Sequence, residues 1–68
     1  MTLTISLNGE PRTLAPDTTV AGLLADLGYA GKRVAVERNG DIVPKSQHGT
    51  TELKDGDSLE IVVAVGGG

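Results

Sequence analysis

Leu3, Ile5 and Leu7 alternate with Thr2, Thr4 and Ser6, a period of two that marks a strand buried on one face. Asn8-Gly9 follows. Both residues accept the positive φ angles of a tight hairpin, so Arg12-Thr13-Leu14 is expected to return beside the first strand. Pro11 enters that second strand where no ladder donor is lost. Ala15-Pro16-Asp17 breaks the alternation, and the period then changes. Val20, Leu23, Leu24 and Leu27 fall at i, i+3, i+4 and i+7, one face of a helix. Thr19 is the expected N-cap, its hydroxyl accepting a free N–H of the first turn, and Gly28 stands where a left-handed C-terminal residue is wanted. Gly22 weakens the helix interior by about 1 kcal/mol against alanine and would permit a close approach by the sheet or a partner.

Val34-Ala35-Val36 predicts a third strand closed by a second turn signal, Asn39-Gly40. Ile42-Val43-Pro44 predicts a short fourth strand that ends at its proline. Residues 45–53 carry no clear period. Lys54-Asp55-Gly56-Asp57 reads as a turn, with both aspartates as turn formers, and residues 58–65 as the last strand. On that strand Leu59, Ile61, Val63 and Val65 face the helix stripe, while Glu60, Val62 and Ala64 face outward. A water-facing row should be polar, and only Glu60 is. Val62 and Ala64 therefore form a candidate docking patch that leads straight into Gly66-Gly67-Gly68. Three residues without Cβ can thread a narrow channel, which suits a tail whose own carboxylate reacts.

The order strand, strand, helix, strand, strand, strand predicts an α+β fold, a mixed four- or five-stranded sheet with one main helix on one face. The first and last strands, the most strongly patterned, are expected as parallel neighbours at its centre. Residues 1–65 form one domain, and residues 66–68 are expected to be a flexible or extended tail.

Composition narrows the chemistry. The 68 residues include nine acids, six bases, no cysteine and one histidine, for a net charge of -3. Nucleic-acid phosphates call for a basic patch, and base stacking for aromatic rings, of which this chain has one. No nucleic-acid partner is expected. An acidic surface suits a basic protein partner. His48 alone cannot build a zinc site, and nothing in the chain calls for a cofactor. No apolar run reaches membrane-spanning length, and the start lacks a secretory signal pattern, so no membrane partner and a cytoplasmic location are expected. No nucleophile–base pair or phosphate loop supports an enzyme.

Several segments together resemble a known family. They are Leu7-Asn8-Gly9-Glu10, Thr19-Val20-Ala21-Gly22-Leu23-Leu24, Val34-Ala35-Val36-Glu37-Arg38-Asn39, Ile42-Val43-Pro44-Lys45, Asp55-Gly56-Asp57 and Ile61-Val62-Val63-Ala64-Val65-Gly66-Gly67-Gly68. Across essentially the whole chain they resemble the β-grasp, ubiquitin-like sulfur carriers of thiamine biosynthesis, the ThiS type. One departure is His48, near which many members carry an aromatic residue.

The resemblance implies a carrier that is no enzyme itself. An ATP-dependent, ubiquitin-activating-like adenylyltransferase would adenylate Gly68. Sulfur from a cysteine desulfurase route would displace AMP to leave a thiocarboxylate, and thiazole synthase would use that sulfur for the thiazole ring. A free carboxylate, ionised at neutral pH, needs such activation before a nucleophile can attack it. Three other readings stay open: a carrier subunit for molybdopterin synthesis, a ubiquitin-like protein modifier, and a plain β-grasp binding module with an inert tail.

Overall fold

The computed structural model describes residues 1–63. Five strands form one sheet: β1 (Leu3–Leu7), β2 (Glu10–Leu14), β3 (Val34–Arg38), β4 (Asp41–Ile42) and β5 (Ser58–Val63). Among the described residues one α-helix, α1 (Val20–Asp26), packs on one face, and one 3-10 turn covers Lys45–Gln47. The strand order is β2-β1-β5-β3-β4. Among the described residues only the β1–β5 pairing is parallel, with Ser6 opposite Ser58 and Leu7 opposite Leu59. The expected central parallel pair is therefore present, and β5 is the middle strand.

Local chemistry makes each hairpin. Asn8 and Gly9 have φ of 50° and 85°, and Asn39 and Gly40 have 52° and 88°. Positive φ at both central residues matches the right-handed twist of the strands, which is why these two-residue loops set the registers Leu7↔Glu10 and Arg38↔Asp41. At the helix, Thr19 Oγ1 accepts the Gly22 N–H at 3.1 Å. The other end closes in a Schellman motif: Gly28, at φ 80°, donates to the Ala25 carbonyl and Tyr29 to that of Leu24. The sheet makes no close approach at Gly22, where only the neighbouring Thr19 and Thr18 come within 4 Å of where a Cβ would stand.

The core joins Val20, Leu23 and Leu24 of α1 to Ile5, Leu7, Val36, Leu59 and Ile61 of the sheet, and Leu27 packs against its edge. Two departures from the sequence pattern contribute to the same core. The fourth strand was expected to run Ile42-Val43-Pro44, but it ends at Ile42. The hairpin pairs Ile42 with Glu37, which puts Ile42 on the outer face at 64% exposure. Val43 turns inward, its N–H on the Val36 carbonyl at 2.9 Å, and is buried.

Residues 45–53, patternless in sequence, are organised by backbone bonds to the helix start. Thr51 and His48 carbonyls accept the Val20 and Ala21 N–H groups at 3.0 and 2.8 Å, and Leu53 donates to the Thr18 carbonyl. Those amides would otherwise be orphans of the first helical turn. Leu53 is buried beneath this loop. No helix of the described residues is long and apolar enough to cross a membrane.

Candidate functional site

The candidate site is the outlet of β5 and the sheet face beside it. β5 is held along its length by two asparagine side chains, one from each hairpin. At its start, Asn39 Oδ1 accepts the Ser58 N–H at 2.9 Å and Asn39 Nδ2 donates to Asp57 at 3.0 Å. Near its outlet, Asn8 Oδ1 accepts the Ile61 N–H at 2.8 Å and Asn8 Nδ2 donates to the Ile61 carbonyl at 3.2 Å. The carboxamide thus stands in for a peptide group and continues the parallel ladder after β1 has turned away. The Asn-Gly signals were legible as turns. Their clasp on a strand up to 53 positions away was not, because it depends on how the elements pack.

Asp57 anchors the base of β5. Its carboxylate accepts from Arg38 Nε and the Lys54 N–H, each at 2.8 Å, and from Asn39. Burial pushes this carboxyl up. The hydrogen bonds from Arg38, Lys54 and Asn39, with the Arg38 charge, outweigh that and hold it below the usual carboxylate range. Asp57 is a turn former, as expected, and also the acid of the ion pair with Arg38. Asp55 accepts the Thr4 N–H at 2.7 Å, which ties the turn to β1. Together these contacts make a rigid base for the strand that carries the chain end.

On the outer face, Val62 is 63% exposed, whereas its neighbour Ile61 is buried. Register places Val62 opposite Ala35, and Glu60 opposite Glu37. The face therefore holds an apolar pair, Val62 with Ala35, then two directly opposed carboxylates, then exposed Ile42. Like charges directly opposed across strands are unfavourable in the free protein, and a cationic partner group would relieve them. Ile42 and the Glu37–Glu60 pair were missed in sequence, since face membership on β3 and β4 follows from register. Of the predicted site residues, Val62 stands where expected. Ala64, Gly66, Gly67 and Gly68 lie outside the described residues, as does Val65. No cluster of metal-ligating side chains occurs among the described residues.

A mixed five-stranded sheet with its parallel pair at the centre, one covering helix and a terminal middle strand defines a β-grasp, ubiquitin-like protein. The solved structure of the thiamine biosynthesis protein ThiS from Geobacter metallireducens matches it with a TM-score of 0.81 and 35% identity, over 97% of this chain and 100% of that one. The sulfur carrier protein ThiS of Bacillus subtilis is 43% identical over 65 residues, 94% of this chain and 98% of the relative. The thiazole synthase of Paramagnetospirillum magneticum is 50% identical over 62 residues, 91% of this chain, but this chain spans only 19% of that protein's length. The model of the ThiS family matches residues 5–68. The chain belongs to the ThiS family.

Proposed function

We propose that this protein is a sulfur carrier for thiazole formation in thiamine biosynthesis and acts as a cosubstrate. The observation that carries this reading is the end-to-end likeness to the Bacillus subtilis sulfur carrier, 98% of which is covered. The reacting group is the Gly68 carboxylate. An ATP-dependent adenylyltransferase joins it to AMP with release of pyrophosphate. The outer sulfur of a persulfide supplied through a cysteine desulfurase displaces AMP to give an acyl disulfide, and a thiol cleaves that S–S bond, forming a new disulfide and leaving the thiocarboxylate. Gly66 and Gly67 pass that terminus into the partner's channel, and Val62 and Ala64 dock the sheet face. Thiazole synthase receives the sulfur. A segment half-identical to this chain within a thiazole synthase supports that partnership, because it puts the two in one polypeptide.

The test is intact-mass spectrometry after incubation with the activating enzyme, ATP and sulfide. The chain is expected to gain the mass difference of one oxygen replaced by sulfur, on its C-terminal peptide, and a variant lacking Gly68 is expected to gain nothing. A modified mass on an internal residue overturns the mechanism. Stable conjugates to lysines of other proteins, with no thiocarboxylate, favour the modifier reading instead.

A further inference from the structure

Beside the helix, at the end of the sheet where Val34 pairs with Val63, lies a cavity of about 490 Å³. Two turns wall it. One is the loop after α1, where Lys32 donates to the Tyr29 carbonyl at 3.0 Å and Gly31 adopts φ 81°. The other is the 3-10 turn, where Gln47 donates to the Pro44 carbonyl at 2.8 Å. Ala21, Leu24 and Tyr29 contribute apolar surface, and Lys32, Arg33 and Lys45 contribute charge. Three of the chain's six basic side chains therefore line one cavity, and none of its nine acids does. In a chain of net charge -3 that is a marked separation of sign.

His48 supplies a further polar group. It is buried, and its Nε2 lies 3.0 Å from the Val43 carbonyl. A carbonyl only accepts, so Nε2 carries the hydrogen and Nδ1 is the acceptor of the neutral ring. Nδ1 has no hydrogen-bond partner among the described residues, yet no buried side-chain nitrogen there is without one. Nδ1 therefore reaches solvent, and the cavity is the space that His48 lines.

We propose that this cavity binds a small organic phosphate, a phosphate monoester carried on a flat ring. Three cationic residues on one lining suit a dianion, with Arg33 and the two lysines as phosphate donors. The apolar surface beside them suits a ring and gives inorganic phosphate nothing extra to hold. The volume falls within the range of about 300–1,000 Å³ typical of small-molecule sites. His48 Nδ1 adds an acceptor to the cavity wall for the hydroxyl of a phosphate monoanion. The cavity adjoins the end of β5, yet its ligand is read from its own lining and requires no sulfur transfer.

The experiment is an amide NMR titration of the intact chain with phenyl phosphate, inorganic phosphate, phenol and hexaglutamate. Saturable shifts confined to residues 21–34 and 45–49 are expected with phenyl phosphate, which should bind at least about tenfold more tightly than either inorganic phosphate or phenol, the margin one good charged hydrogen bond or ring contact supplies. Lys45→Glu, at an exposed position, is expected to weaken phenyl phosphate by about tenfold or more, and Lys54→Glu, outside the cavity, by less than about twofold. Equal affinity for inorganic and phenyl phosphate, shifts spread over all six cations, or an unchanged Lys45→Glu overturns the proposal. Hexaglutamate shifting these residues where phenyl phosphate does not also overturns it, in favour of an acidic protein segment.

Discussion

Ile61 and Val62 are adjacent on β5 and differ in nearly everything else, so a matched pair of aspartate substitutions separates core from docking surface. Ile61 is 7% exposed and Val62 63%. Ile61→Asp forfeits about 1.5–3 kcal/mol of apolar burial, and an unpaired carboxyl left in its place costs several kcal/mol more. Against a total stability of about 3–10 kcal/mol for a domain this size, that unfolds most molecules at room temperature. Val62→Asp removes little burial. It adds a carboxylate beside Glu60 and diagonal to Glu37, and a like-charge neighbour on a sheet costs about 0.2–1 kcal/mol. Urea melts followed by circular dichroism are expected to show Val62→Asp within about 1 kcal/mol of the parent and Ile61→Asp without a folded baseline. Binding of folded Val62→Asp to the activating enzyme is then expected to fall by at least about tenfold, the scale of a central interface residue. Equal destabilisation by both substitutions would make Val62 part of the core. A stable Val62→Asp that binds like the parent would refute docking through this face.

Two further outcomes follow from the clasps on β5. Because the Asp57 carboxyl is held below its unfolded value of about 3.9, its contribution to stability is fully present above that pH and is lost as pH falls through the folded value. Urea midpoints measured from pH 7 down to pH 2 are therefore expected to drop for the parent below about pH 4, and Asp57→Asn is expected to start lower and lose less over the same window. Asn8→Ala removes both side-chain bonds to Ile61 and places alanine at φ 50°, so a loss of about 2–3 kcal/mol is expected in the same melts, with Asn8→Gly, which keeps the turn geometry, losing less.

Local features were legible without coordinates because their causes are local. The alternation at Leu3–Leu7, the stripe at Val20, Leu23, Leu24 and Leu27, the Thr19 cap, the Gly28 stop and two Asn-Gly turns each depend on residues a few positions apart, and each took its expected place. The strength of the first and last strands even pointed to their central parallel pairing. Tertiary structure alone decided the rest, since those contacts join residues that no period relates. Asn8 finds Ile61, and Arg38 finds Asp57, only after three strands lie side by side. Hairpin register, one residue at a time, sent Ile42 outward and Val43 inward where composition treats them alike. The segment around His48 has no pattern to read because it is shaped by backbone carbonyls answering the free amides of a helix more than twenty residues upstream. Side-chain periodicity records which face is buried. It carries no record of which distant backbone group a loop must satisfy.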